Sequence, residues 1–193
     1  MGRKPPGRAI CSLVAAFSCL AVLAACGGGD SGYGSKPPDY RKALAGAPGP
    51  LAKLYSQPGR LLSGGPAAFQ QRIADLRGYP VVVNQWASWC GPCRAEFPWL
   101  QRLSASYGKR VAFVGVDSQD SNAAARTFLG EFPVPYPSYT DPKQEIGKLL
   151  KAALGLPDTS FYDSKGRLVY TRQGAYASQR DMARDIRRYA LRG

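Results

Sequence analysis

The chain has 193 residues, of which 45% are hydrophobic, enough for one well-packed domain with extensions but not for two full domains. Its formal net charge is +13, and it stays basic without Arg3, Lys4 and Arg8, which lie in a segment that we expect to be removed. The basic residues are scattered, and the densest cluster, near the C-terminus, mixes arginines with aspartates and apolar residues as a solvated helix face does, so we expect no nucleic-acid partner.

Residues 1–25 have the pattern of an export signal. A short basic region precedes a run of 17 uncharged residues at 9–25, most of them apolar. Because bilayer-spanning helices need about 17 to 25 apolar residues, an uncleaved anchor helix is the alternative. The run ends in "LAAC", which resembles the bacterial lipobox and makes Cys26 the lipidated residue. We therefore expect an acyl anchor on the extracytoplasmic face of the bacterial cell membrane.

The residues after Cys26 predict a tether and then an alternating domain. Residues 26–39 are rich in Gly, Ser and Pro, as flexible linkers are. In chain order, the predicted elements are short helical pieces within 40–62, a helix at 65–78, a strand at 80–87, a helix at 91–108, a strand at 110–117, a helix at 121–132, an extended segment at 133–142, a helix at 143–154, a hairpin at 159–174 and a helix at 178–192. This order predicts an α/β fold, a mixed central sheet with helices on both faces.

Prolines and a serine refine three of these elements. Pro98 should interrupt and kink the helix at 91–108. The proline-bound segment 133–142 should be at best an edge strand. Ser121 is a plausible N-cap for the helix that follows it.

The motif "WCGPC", residues 89–93, directly follows the predicted strand 80–87 and opens a helix. At a helix N-terminus, unpaired N–H groups and the positive end of the dipole favour a Cys90 thiolate, the nucleophile of disulfide exchange. Cys93, one turn on and facing inward, would resolve the mixed disulfide. Gly91 and Pro92 keep the pair close. Cys90 and Cys93 are the thiols left once Cys11 and Cys19 depart with the signal and Cys26 carries lipid.

Other uses of a Cys pair fit this chain less well. A zinc site needs about four ligands, but the sequence has no histidine and no spare thiol, so we expect no metal. The lack of histidine also excludes a Cys–His protease arrangement. An inert structural bridge over so short a loop would remove little chain entropy.

The segment "VVVNQWASWCGPCRAEFPWL" resembles the active-site segment of the thioredoxin superfamily, and more narrowly of the TlpA/ResA-like extracytoplasmic thiol–disulfide oxidoreductases. The resemblance extends over about residues 65–192, with 122–141 similar to the helix-plus-strand insertion of that branch and "GLPDTSFYDSKGRLV" similar to its cis-proline segment. It implies a thioredoxin fold at 65–193, preceded by an N-terminal extension at 40–64.

The resemblance also implies roles for single residues. Pro157 matches the cis-proline that faces the cysteine pair, leaving the Leu156 backbone free to bind an extended partner chain. Glu96 matches an acidic residue that tunes thiol acidity, although a solvated helix glutamate is the alternative. Trp89 would shield the pair, and Trp89, Gly91 and Pro92 would belong to the substrate-binding surface. Asn84 stands where thioredoxin has a buried, proton-relaying Asp, and it cannot titrate.

The implied function is a disulfide reductase for exported proteins, including apocytochrome c, that is recharged by a membrane thiol–disulfide electron donor and needs no cofactor. Three alternatives stay open. The first is an oxidant of the same fold, since the sequence does not set the reduction potential. The second is a peroxidase, although Ala87 stands where that class needs Thr. The third is a non-catalytic, partner-binding lipoprotein.

Overall fold

The structure is a computed structural model that describes residues 1–2, 36–152 and 155–192. The predictions made for the signal segment, for Cys26 and for most of the tether lie outside these residues. Within the part of the chain that the structure describes, no helix has both the length and the apolar character needed to cross a bilayer.

A mixed sheet of six strands forms the centre of the described fold. The strands are β1 (Leu61–Leu62), β2 (Val81–Trp86), β3 (Ala112–Ser118), β4 (Ser138–Asp141), β5 (Asp158–Tyr162) and β6 (Leu168–Gln173). Their order across the sheet is β1-β4-β3-β2-β5-β6. Strands β1, β4, β3 and β2 run parallel to one another. Strand β5 pairs antiparallel with β2, and β6 pairs antiparallel with β5. The predicted hairpin at 159–174 is confirmed as β5 and β6.

Helices cover both faces of this sheet, as predicted. They are α1 (Tyr40–Ala43), α2 (Gly49–Tyr55), α3 (Gly65–Asp75), α4 (Gly91–Tyr107), α5 (Asn122–Glu131), α6 (Glu145–Leu149) and α7 (Gln179–Asp185), with a π-helical turn at Ile186–Ala190. Side chains of α4, α5 and α7 form the core on one face, and those of α2, α3 and α6 form the core on the other. Every residue of β2 and β3 is buried, as their runs of apolar and β-branched residues predict.

Two predictions about proline-containing segments are wrong. The segment 133–142 was expected at an edge, but β4 lies between β1 and β3, because Leu61–Leu62, expected to be helical, forms a short parallel edge strand beside it. Helix α4 is not interrupted at Pro98 but runs unbroken to Tyr107. A proline within a helix removes one backbone hydrogen bond, and burial of the α4 residues around Pro98 in the core holds the helix together.

The ends of two other helices bear on the sequence predictions. Ser121 caps α5 as predicted, because its Oγ accepts a hydrogen bond from Ala124 N at 3.1 Å. Helix α6 is much shorter than the predicted 143–154: it begins at Glu145, after a left-handed residue at Gln144, and ends at Leu149.

Candidate active site

The cysteine pair lies at the junction between the end of β2 and the start of α4, at the carboxyl end of the parallel strands. After Trp86 the chain turns, with Cys90 N donating to Ala87 O at 3.2 Å, and α4 begins at Gly91. Cys90 is the N-cap: its backbone is extended, and its Sγ accepts from Cys93 N at 3.2 Å. The sulfur of Cys90 therefore sits at the positive end of the α4 dipole, where a thiolate is favoured.

Cys90 and Cys93 form a disulfide, with their Cα atoms 5.3 Å apart. Both side chains are part of the core on the α4 face, and only 4% of Cys90 and 1% of Cys93 is exposed. The inward position expected of Cys93 is thus present, but Cys90 is nearly as buried. The assignment of Cys90 as the attacking residue therefore depends on its place at the helix N-terminus rather than on its exposure.

Exposed residues surround the buried pair. Trp89 is 60% exposed, and its indole Nε1 donates to Gln119 O at 3.0 Å, so the ring is tied to the neighbouring loop. Gly91 and Pro92 are also exposed. These three residues, predicted to bind substrate, form a surface around the disulfide that a partner chain can reach.

The predicted cis-proline segment meets the same core. The Leu156–Pro157 peptide bond is cis. Pro157 is buried, and the partly buried Leu156 packs against the core cluster that contains both cysteines. Leu156 thus packs against the same core as the redox pair, and the role of Leu156 and Pro157 in binding a partner backbone stays a prediction.

Glu96 is not a solvated helix residue, because only 1% of it is exposed. Its Oε1 accepts from Tyr176 N at 2.5 Å. Burial raises the pKa of Glu96 to about 7, against the opposing effects of the Tyr176 N–H and the Arg172 guanidinium. Glu96 lies one helical turn after Cys93, so a carboxyl that gains and loses a proton near neutral pH stands close to the redox pair.

A second buried carboxyl, Asp158, was missed at the sequence level. Its Oδ1 accepts from Gly174 N at 3.1 Å, and burial raises its pKa to about 6. Its charge also raises the pKa of Glu96. The available signal was its position directly after Pro157, but the sequence does not indicate that a residue at the start of β5 is buried.

Several buried oxygens have no hydrogen-bond donor among residues 36–152 and 155–192: Asn84 Oδ1, Glu96 Oε2, Asp117 Oδ1 and Asp158 Oδ2. Asn84 lies in β2, paired with Thr159 of β5. The proton-relay position of thioredoxin is thus occupied by a buried amide that cannot titrate. Glu96 and Asp158, whose pKa values are raised to about 7 and about 6, are titratable where Asn84 is not. The same ranges contain no group of three or more His, Cys, Asp or Glu residues that could hold a metal ion.

The mixed sheet, the Cys90–Cys93 disulfide at the N-terminus of α4 and the cis-proline just before β5 define a protein of the thioredoxin-fold class. A family model described as Redoxin matches residues 54–186, and the chain belongs to that family.

Individual relatives agree with this class. The chain is 33% identical over 110 residues to the thiol–disulfide oxidoreductase ResA of Oceanobacillus iheyensis, with 56% of this chain and 57% of the relative covered. It is 35% identical over 142 residues to the thiol:disulfide interchange protein DsbE of Escherichia coli K12, with 73% and 71% covered. The predicted resemblance to the ResA-like oxidoreductases is confirmed.

A solved structure described as a thiol:disulfide interchange protein DsbE from Chlorobium tepidum has the same fold. The TM-score is 0.54 at 29% identity, with 59% of this chain and 82% of that chain covered. The matches to the Oceanobacillus protein and to a DsbE of Pseudomonas fluorescens span only 57% and 51% of those relatives. The activity, the direction of electron flow, the substrates and the partners are therefore treated below as proposals.

Proposed function

We propose that this chain is a lipid-anchored, extracytoplasmic reductase of disulfides in exported proteins, with apocytochrome c among its substrates. The observation that carries the proposal is the Cys90–Cys93 disulfide at the N-terminus of α4, buried beneath the exposed surface of Trp89, Gly91 and Pro92. Two features of the sequence support the location: the export signal and the lipobox-like Cys26.

Reduction takes place by two exchanges of sulfur partners. In the reduced protein, the Cys90 thiolate attacks one sulfur of the substrate disulfide, and the other substrate sulfur leaves as a thiolate. Cys93, deprotonated, then attacks Cys90 Sγ, which releases the first substrate sulfur and closes the Cys90–Cys93 disulfide. The substrate gains two electrons that the Cys pair loses, and a membrane thiol–disulfide donor must return them.

Glu96 and the cis-proline segment support these steps in the proposal. Glu96 accepts the Cys93 proton when that thiol must become a nucleophile, since its pKa of about 7 suits proton transfer at neutral pH. The backbone of Leu156 beside Pro157 pairs with an extended substrate segment and aligns its disulfide with Cys90.

The deciding experiment traps the intermediate. Cys93→Ser should accumulate mixed disulfides between Cys90 and exported proteins, because the resolving thiol is missing. Cys90→Ser is the matched control and should trap none. If the Cys93→Ser variant forms no Cys90-dependent adduct in cells and the reduced protein cannot reduce insulin, the oxidoreductase function is wrong.

Direction and anchoring are tested separately. Equilibration with glutathione gives the reduction potential: a value near the −270 mV typical of thioredoxin supports a reductant, and one near about −120 mV makes the protein an oxidant. Cys26→Ala should release the chain from membranes. Continued membrane retention of that variant would instead indicate an uncleaved anchor helix.

A further inference from the structure

Two carboxyl groups beside the redox loop have no part in the chemistry proposed above. Asp117 is near the end of β3, where it pairs with Trp86 of the parallel strand β2. The loop that leads to Cys90 and the turn at 119–121 therefore leave neighbouring strands side by side. Asp120 lies in that turn.

Asp120 holds the redox loop through its carboxylate. Its Oδ2 accepts from Ser88 N at 2.6 Å, and its Oδ1 accepts from Ser121 N at 2.7 Å. The preceding residue, Gln119, accepts the Trp89 indole N–H through its carbonyl. The two residues that directly precede Cys90 are thus both bonded to this turn. A carboxylate can accept at both oxygens, whereas an amide accepts at only one.

The turn is itself held from the far side. Gln119 has a φ of +53°, a conformation that non-glycine residues rarely adopt and that persists only where neighbours impose it. Gln119 N donates to Asp141 O at 3.3 Å, and Gln144 Nε2 donates to Gln119 Oε1 at 2.8 Å. Because β4 and the residues after it brace the turn, Asp120 is a fixed point for the redox loop.

Asp117 is the second carboxyl of this arrangement. It is buried, and it precedes Asp120 by three residues in the chain. Two carboxyls can share a hydrogen bond only if one carries a proton. Burial, together with the charge and hydrogen bond of Asp120, raises the pKa of Asp117 to about 7.

Apart from burial, the effects that raise the pKa of Asp117 both come from Asp120. The residues paired with Asp117 across the sheet, Trp86 on β2 and Thr140 on β4, are uncharged. On helix α4, Arg94 is engaged with Glu131 of α5 at 2.6 Å. The redox loop itself contributes Cys90 and, through α4, Cys93, which titrate only after reduction of the disulfide.

We propose that Asp120 is a positioning residue for the redox loop and that a proton on Asp117 keeps it in place. This inference rests on the proposed function, because it concerns the reactivity of the same Cys pair. With the proton present, Asp117 donates to Asp120, and Asp120 still accepts from Ser88 and Ser121. When the proton is lost to solvent, two like charges face each other. The bond to Ser88 then weakens, because Ser121 is the chain neighbour of Asp120 and Ser88 is not.

The test uses the purified full-length chain and three variants. Asp117→Asn offers a permanent N–H to Asp120, and Asp120→Asn removes one of its two acceptors. Asp75→Asn removes an exposed carboxylate on α3 and is the control for the loss of one charge. Two quantities are measured over about pH 5 to 9: the Ser88 amide proton shift by NMR in the oxidised protein, and the rate at which reduced Cys90 attacks a small aromatic disulfide.

In the wild type and in Asp75→Asn, the Ser88 amide should resonate far downfield at low pH and move upfield with a midpoint near pH 7. In Asp117→Asn the Ser88 amide should stay downfield at every pH. The pH dependence of the attack rate should then show the ionisation of Cys90 without a second inflection from Asp117. In Asp120→Asn the downfield shift should be absent at every pH, and the attack should be at least about tenfold slower, as expected for the loss of one charge-assisted hydrogen bond.

A Ser88 amide that does not titrate in the wild type would overturn the proposal, as would an Asp117→Asn rate profile identical to that of the wild type. If Asp117→Asn does not fold, the wild-type titration decides alone. The amide measurement needs no activity, so it separates this inference from the proposed function. An inactive wild type with a titrating Ser88 amide would contradict the function and leave the positioning role of Asp120 supported.

Discussion

Glu96→Gln tests the buried carboxyl through the stability of the oxidised protein. The pKa of Glu96 is raised from an ordinary 4.5 to about 7, chiefly by burial. Between those two pH values the folded protein holds a proton that the unfolded chain has lost, so the free energy of unfolding falls as pH rises. The raised pKa of Glu96 contributes about 3 kcal/mol to the free energy of unfolding. This contribution is complete below pH 4.5 and is lost as the pH rises through 7.

Glutamine removes this titration and keeps the shape of the side chain. Its Oε1 can still accept from Tyr176 N, and the cost of burying its amide is the same at every pH. The free energy of unfolding of Glu96→Gln, minus that of the wild type, should therefore rise by about 3 kcal/mol as the pH is raised from 4.5 to 8. The comparison is needed because Asp117 and Asp158 also have raised pKa values and titrate in both proteins.

The assay is urea denaturation of the oxidised protein at a series of pH values, with tryptophan fluorescence as the probe. Glu145→Gln, at an exposed position on α6, is the matched control and should follow the wild type. If the wild-type and Glu96→Gln stabilities change in parallel with pH, Glu96 does not titrate in this range, and the proposed proton transfer from Cys93 loses its acceptor.

Three further changes address the core, the exposed surface and the carboxyl pair. Gly115→Ala should destabilise the fold by about 1–3 kcal/mol, measured by urea denaturation, because the new methyl group would overlap Ser138 on the neighbouring strand. Trp89→Ala should change stability by less than about 0.5 kcal/mol, since the side chain is 60% exposed, but should lower the yield of trapped mixed disulfides. Asp158→Asn should lower the pKa of Glu96, measured by carboxyl carbon NMR, because the Asp158 charge raises it.

Matched variants make these outcomes decisive. Gly130→Ala, on α5 with open space around the added methyl, should not destabilise, and equal losses at both glycines would contradict the overlap. Val169→Ala removes another exposed apolar side chain away from the Cys pair. If it reduces trapping as much as Trp89→Ala does, Trp89 has no special role. An unchanged Glu96 titration in Asp158→Asn would mean that the two carboxyls are not coupled.

Local patterns were enough to predict the order of the main elements and the cysteine pair. The apolar run of β2, the serine cap of α5 and the hairpin each depend on residues close together in the chain, so their patterns survive without knowledge of the fold. The same holds for "WCGPC", because a strand followed by a helix places Cys90 at a helix N-terminus whatever packs around it. The cis bond before Pro157 was expected from the family resemblance rather than from local pattern.

Only the tertiary structure decided what depends on distant segments. A proline-bound segment became an interior strand because Leu61–Leu62 lies beside it, and Pro98 stayed within a helix because α4 is packed into the core. The sequence left a solvated position open for Glu96 and gave Asp158 no role, yet burial raises the pKa of Glu96 to about 7 and that of Asp158 to about 6. Desolvation is set by everything packed around a group, so the acidity of this site is a property of the fold and not of any motif.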